Sequence, residues 1–227
     1  MRIALAQFNP TVGDLAGNAT RMLEFARRAA ERGAEVVVFP ELALCGYPPR
    51  DLLEKPSFVD RAEAELARLA EGAAHLGPAL IVGTISRASA STGKHLYNSA
   101  VVLDRGDLVF EQHKMLLPTY DVFDESRYFA PAEHQEVFTL RGRRIALTIC
   151  EDAWNDKNYW ERQLYTRDPV DELIKQGAEV LISINGSPYH RFKREQRREM
   201  FRALARRHRV PVYYVNEVGG NDQLVFD

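Results

Sequence analysis

Two short strings recur in this chain, and their recurrence limits the folds open to it. Arg2-Ile-Ala-Leu reappears as Arg144-Ile-Ala-Leu, and Gly33-Ala-Glu-Val reappears as Gly177-Ala-Glu-Val, at nearly the same spacing. Both pairs fall at matching places in a β-α-β-α-β order. In the first half, residues 2–7 predict a strand. Asn18 then precedes a helix whose apolar residues Met22, Phe25, Ala26 and Ala29 fall at i, i+3, i+4 and i+7, and Gly33 ends it. Residues 34–39 predict a strand through their continuous apolar run Val-Val-Val-Phe, as in strands covered on both faces. Ser57 and Asp60 predict a capping-box start for a helix reaching about Gly72, and residues 79–84 the next strand.

The second half repeats this order. A strand over 144–149 is followed by a helix opening at Asp168-Pro169, a strand over 180–184, a basic helix over 191–208 and a strand over 210–215. The fold class is therefore α/β, with two similar halves, each a sheet with crossover helices. In the first half a hairpin follows, with arms at 98–104 and 108–112 around Arg105-Gly106. Residues 221–227 look like the first arm of the same hairpin. We therefore expect an unpaired edge strand at Leu224 to Phe226, in a piece of a longer polypeptide that lacks at least one strand of this domain.

Composition excludes several function classes. A formal charge of −2 over 227 residues gives no reason to expect nucleic acid or an anionic membrane as partner. No apolar segment approaches membrane-spanning length. Two cysteines make no disulfide framework, so free thiols and a cytoplasmic setting are expected. The six histidines form no metal-ligand cluster.

Three polar groups share one kind of position. Glu41, Lys114 and Cys150 each lie at or just past the end of a predicted strand, where sites collect in open α/β sheets. Taken singly, they read as a loop carboxylate, a surface cation and a packing thiol. Cys150 also sits where a helix could begin, a place that favours negative charge. Together they supply a base, a cation for an oxyanion and a nucleophile, the parts that acyl transfer needs. Cys45 lacks the strand-end context and reads as a packing residue, and Asp152 and Trp154 as structural residues behind the nucleophile.

Three blocks carry a family resemblance: Phe39-Pro-Glu-Leu-Ala-Leu-Cys-Gly-Tyr47, the run from Lys114 through Tyr120 and Glu125 to Phe129, and Ile149-Cys-Glu-Asp-Ala-Trp154. They resemble the signature blocks of the nitrilase (carbon–nitrogen hydrolase) superfamily. With Ile184-Asn-Gly-Ser187 and Gly219-Gly-Asn-Asp, they are similar more narrowly to the glutaminase domains of glutamine-dependent NAD+ synthetases. The resemblance covers nearly all of residues 1–227 and implies a four-layer αββα sandwich. It implies that Glu41 is the base, that Cys150 attacks the glutamine carboxamide, and that Lys114 with the backbone N–H of Glu151 holds the oxyanion. It further implies that Glu125 positions these groups and that Tyr47, Tyr120 and Phe123 line the glutamine pocket. Ser187 and a cation six residues on, Lys193, would hold the α-carboxylate; Arg191 and Arg194 flank that cation and stay open as alternatives. No cofactor or metal is implied for the glutaminase step. ATP and Mg2+ belong to a C-terminal synthetase domain, the implied partner, and no Ser-Gly-Gly loop of such a domain occurs here. A homo-oligomer is also implied. The alternative is a stand-alone amidase of the same superfamily acting on another small amide.

Overall fold

The computed structural model of the chain describes residues 1–88 and 92–227. The first half forms a five-stranded sheet from β1 (Ile3–Leu5), β2 (Val36–Val38), β3 (Ala79–Arg87), β4 (Leu96–Asp104) and β5 (Asp107–His113), in that order. The first three strands are parallel, joined by helices α1 (Leu15–Glu31) and α2 (Pro56–Ala73), and the last two run as an antiparallel hairpin. The second half forms a four-stranded sheet from β6 (Phe138–Leu140), β7 (Arg143–Ile149), β8 (Val180–Asn185) and β9 (Val212–Asn216), with helices α3 (Pro169–Lys175) and α4 (Lys193–His208). Strands β7, β8 and β9 are parallel, and β6 pairs antiparallel at the edge.

Side-chain alternation stacks these elements into four layers. Val36 and Val38 point into a core between the sheets, where they meet Ile145, Leu147, Ile149 and Ile182. The intervening Val37 points the other way, into a core with Met22 and Ala26 of α1. On the far side, Ala146 and Leu181 pack under Leu173 of α3 and Met200 and Leu204 of α4. Each fully buried side chain of this kind stabilises the fold by roughly 1.5–3 kcal/mol, which explains why the central strands are apolar on both faces. The architecture is the four-layer αββα sandwich of two similar halves.

Several local expectations are corrected. Helix α1 starts earlier than Asn18, capped by Asp14, whose carboxylate accepts from the Gly17 N–H at 3.0 Å. Asn18 lies inside the helix and turns inward, bonding both Thr11 backbone groups and the Leu44 carbonyl. Helix α2 opens on Pro56, with no side-chain cap from Lys55, so Ser57 and Asp60 form no capping box. The C-terminal segment is not an unpaired edge of the second sheet. Gly219–Asn221 (β10) and Leu224–Phe226 (β11) form their own hairpin, turned at Asp222 with φ +50°. Leu224 and Phe226 are buried against the first helix-side core, and Val225 alone of the three is exposed. Alternating apolar side chains over a ready apolar surface outweigh the pattern that suggested a second long hairpin.

One glycine shapes the first half around its strand-end turn. The chain after β2 folds back over β3 so closely that a Cβ on Gly83 would lie 2.2 Å from the Pro40 carbonyl oxygen and 2.4 Å from the Leu42 nitrogen. Both are backbone atoms and cannot swing away. Gly83→Ala is therefore expected to destabilise the fold by about 3 kcal/mol, lowering the thermal midpoint by roughly 6–12 °C. Calorimetry or circular-dichroism melting checks this, and an unchanged midpoint would mean the turn is free to move.

Candidate active site

Topology brings the three strand ends to one edge. Glu41 follows β2 in the turn from Pro40. Lys114 follows β5, which two antiparallel steps return to the direction of β3. Cys150 follows β7 of the other sheet, so the site lies between the halves and draws on both.

Glu41 and Lys114 are fully buried, and they touch. The Lys114 Nζ donates to Glu41 Oε1 and to Glu125 Oε1, both at 2.7 Å. Asn98 Nδ2 also donates to Glu41 Oε1 at 2.7 Å, and the backbone N–H of Gly186 donates to Oε2 at 2.8 Å. Gly186 is required there: a Cβ would sit 3.0 Å from the Tyr47 ring and 3.3 Å from Glu41 Oε2. Glu41 Oε1 thus accepts two hydrogen bonds and Oε2 one, leaving a lone pair on Oε2. The Tyr47 hydroxyl donates to Glu125 Oε1 at 3.0 Å, while Glu125 Oε2 is buried without a partner.

Electrostatics follow from this burial. Desolvation pushes the Glu125 carboxyl up to about 7, against the pull of the Lys114 ammonium, and Glu41 adds to the rise. Burial opposes the Lys114 charge, but Glu125 and Glu41 together outweigh it and hold the ammonium well above the ordinary lysine range. Burial also raises the Cys150 thiol well above its usual value; Glu41 adds to this, Lys114 opposes it, and Glu151 and Glu125 raise it further. The resting site therefore holds a protonated thiol beside a paired carboxylate.

Cys150 occupies a left-handed backbone position, φ +46°, which L residues adopt at a cost of about 1–3 kcal/mol and which recurs at functional sites. No α-helix begins at Cys150. A single 3₁₀ turn, Cys150–Ala153, carries the cysteine, so helix-dipole stabilisation of a thiolate is not available from this element. The thiol stands at a cavity of about 530 Å³ that is also lined by Tyr120, Phe123, Glu151, Ser187 and Lys193. Tyr47, like Glu41 and Lys114, does not itself line the cavity: it is buried behind the acid cluster, its ring packed on Gly186 and its hydroxyl engaged by Glu125. Of the three candidate cations, Lys193 reaches the cavity, while Arg191 and Arg194 are exposed and Arg191 lies over the Phe192 ring. Burial lowers the Lys193 pKa, opposed by the charges of Cys150 and Glu151. Cys45 is completely buried, its Sγ 3.4 Å from the Leu42 carbonyl oxygen, and burial raises its thiol.

Other residues at the site were not singled out from sequence. Asn98 and Gly186 hold Glu41, although Asn98 could have been noticed as a polar interruption of an apolar strand. Trp154, read as packing, also lines the cavity, with Trp160, Arg162 and Leu164 of the following loop. That loop has no periodic pattern that would have marked it. Its base is fixed by Asn155, which donates to the Tyr165 and Arg167 carbonyls, and by the Asp156–Arg207 ion pair. The Glu151 carboxylate accepts from the Tyr120 hydroxyl at 2.9 and 3.0 Å, so the side chain of this residue also belongs to the cavity wall.

A four-layer αββα fold with a Glu–Lys–Cys cluster at its strand ends defines a class of amide-bond enzymes. The chain belongs to the carbon-nitrogen hydrolase family, which it matches over residues 2–226. It is 47% identical over 230 residues to the glutamine-dependent NAD(+) synthetase of Synechocystis, covering 99% of this chain and 41% of that protein. It is 36% identical to the synthetase of the same name from Thermotoga maritima, covering 100% of this chain and 37% of that one. The chain thus spans about two fifths of the length of the curated relatives it matches. Among solved structures, the glutamine-dependent NAD+ synthetase of Acinetobacter baumannii superposes with a TM-score of 0.86 at 32% identity, over 99% of this chain and 40% of that one. An amidase from Nesterenkonia shares the fold, with a TM-score of 0.81 at 24% identity, over 100% of this chain and 80% of that one. Among the described residues, no helix is long and apolar enough to cross a membrane.

The raised Glu125 carboxyl gives a signed pH dependence. The fold binds this proton more tightly than the unfolded chain does. Its contribution to stability is therefore full below pH 4.5 and is lost as pH rises to about 7. Glu125→Gln removes that titration. Urea midpoints measured from pH 4.5 to 7.5 are expected to fall less steeply in the variant than in the wild type.

Proposed function

We propose that this chain is a glutamine amidohydrolase domain that releases ammonia through a Cys150 thioester. In its longer relatives' arrangement, that ammonia would pass to an NAD+ synthetase domain that amidates deamido-NAD+ with ATP and Mg2+. The observation that carries the reading is the buried Glu41–Lys114–Glu125 cluster placed behind a cysteine at the cavity. The Cys150 proton passes to Glu41 Oε2, the oxygen with a lone pair to spare, as the sulfur attacks the carboxamide carbon. Lys114 and the Glu151 N–H take the developing oxyanion, a contribution of roughly 3–4 kcal/mol for one donor. Glu41 returns its proton to the departing nitrogen, and ammonia leaves. Water then attacks the thioester carbonyl and gives a proton to Glu41, and the tetrahedral adduct collapses to glutamate and free thiol. Residues of this chain suffice for both half-reactions, and free thiols at Cys45 and Cys150 suit a reducing cytoplasm.

The charge pattern of the cavity favours glutamine over a neutral amide. Glu151 presents a carboxylate and Lys193 an ammonium on one wall system, with the Ser187 hydroxyl beside the cation. An α-amino acid amide carries the complementary pair. A stand-alone amidase acting on simple amides is the second reading, and ammonia release from a panel of aliphatic amides against glutamine separates the two.

Cys150→Ala is expected to abolish glutamine-dependent ammonia release, by on the order of 10⁵-fold or more, while a full-length synthetase keeps its ammonia-dependent activity. Loss of the ammonia-driven reaction in a folded variant would count against the assignment. Lys193→Ala removes a charged hydrogen bond of about 1.5–3 kcal/mol and is expected to raise KM for glutamine roughly 10- to 100-fold with a smaller change in kcat, measured by coupled glutamate assay.

A further inference from the structure

Asp152 is a buried carboxylate with no substrate to touch, and its partners are unusual. Its Oδ1 accepts from the backbone N–H groups of Met115 and Leu116, at 3.0 and 2.8 Å, immediately after Lys114. Its Oδ2 accepts from the N–H of Ile149 at 3.3 Å, immediately before Cys150, and from Gln135 Nε2 at 2.8 Å. The same Gln135 nitrogen donates to the carbonyl of His113, the residue before Lys114, at 2.9 Å. One carboxylate therefore clamps the chain on both flanks of Lys114 to the turn that carries Cys150. These segments end strands of different sheets, and they share no sheet hydrogen bond that could fix their spacing. Asp152 is 1% exposed, so its bonds face no competition from solvent.

We infer that Asp152 is a positioning residue that sets the spacing of the Lys114 ammonium from the Cys150 thiol across the junction of the two sheets. This deepens the glutaminase reading and rests on it for the turnover measurement, though not for the thiol measurement. Five groups charge the surroundings of the thiol: Glu41, Lys114, Glu151 and Glu125, and Lys193 across the cavity. The two cations favour the thiolate, and the Asp152 clamp holds the segment of Lys114 and not that of Lys193, so a retreat of Lys114 leaves a less acidic, slower thiol. In Asp152→Asn, the amide nitrogen would face the donors of Ile149 and Gln135, and the clamp opens on one side.

The test uses the intact protein and compares the rate of Cys150 alkylation by iodoacetamide at fixed pH between 7 and 9, with peptide mapping to separate it from Cys45. Asp152→Asn is expected to slow alkylation about tenfold across this range, the effect of a thiol about one pH unit less acidic. In parallel, kcat for glutamine should fall at least about tenfold with KM within about twofold, since Ser187 and Lys193 are untouched. A folded variant with a lower thermal midpoint but an unchanged alkylation rate and kcat would overturn the inference, leaving Asp152 a structural residue only. If the wild type hydrolyses no glutamine while the variant's alkylation is still slowed, the positioning role stands and the glutaminase reading fails. Should Asp152→Asn not fold, Gln135→Leu removes one arm of the clamp; a slowing of alkylation supports the inference and none overturns it.

Discussion

The molecule depends on one buried ammonium. Lys114 sits fully buried at the junction of two sheets, between the carboxylates of Glu41 and Glu125. Removing an ion from water costs several kcal/mol after relaxation, and the Coulombic return covers this only where hydrogen bonds satisfy every partner. Here Asn98, Gly186 and Tyr47 supply those bonds to three of the four carboxylate oxygens, and Glu125 Oε2 has none. Such a cluster is weak evidence of stability, because an apolar core of the same volume would do at least as well. Its retention at the one edge where both sheets end fits a chemical role. The unpartnered Glu125 Oε2, with a carboxyl held up to about 7, is where the cluster relieves its excess negative charge.

The fold makes this placement with few demands on local sequence. Parallel strands joined by crossover helices deliver their C-terminal ends to a common edge. Two antiparallel steps, β3 to β4 and β4 to β5, return Lys114 to that edge. Face-to-face stacking of the halves then sets Cys150 against the same point from the other side. What the sandwich does not fix is the spacing between segments that belong to different sheets, and side chains take over there: Gln112 reaches the Leu147 carbonyl, and Asp152 spans the gap beside the site.

Much of this was legible in the sequence, for identifiable reasons. The repeated strings marked the two halves because each keeps the same apolar strand and the same glycine at the end of its first helix, Gly33 and Gly177, both at positive φ. Glu41, Lys114 and Cys150 were legible because strand ends can be located from apolar runs. The place of Tyr47 behind the carboxylate cluster was not legible, because sequence distance from Glu41 says nothing about which side of the cluster a ring will occupy. Asn98 and Gly186 were missed because their function is to hold Glu41 through space, 57 and 145 residues away. The loop from Asn155 to Arg167 follows no periodicity, and its order comes from side-chain staples instead. Its contribution of Trp160 and Arg162 to the cavity could only be seen in three dimensions.

The same cluster also constrains how the reaction can run. A thiolate formed beside Glu41 and Glu125 would add a further negative charge in a region of low dielectric, where like charges a few Å apart repel by about 4 kcal/mol or more at an effective dielectric of 20. The raised Cys150 thiol is the resting expression of that cost. The cost is avoided if the proton does not leave the cluster. Transfer from sulfur to Glu41 Oε2 leaves the total charge of Cys150, Glu41, Lys114, Glu125 and the bound substrate unchanged, and so does its later delivery to the substrate's amide nitrogen. On the proposed mechanism Lys114 then faces a neutral Glu41 as the oxyanion develops, which frees its charge for the substrate, while its third proton, uncommitted at rest, can be donated to it. The pairing that looks like stabilisation at rest is, on this account, a charge held in reserve for the tetrahedral adduct.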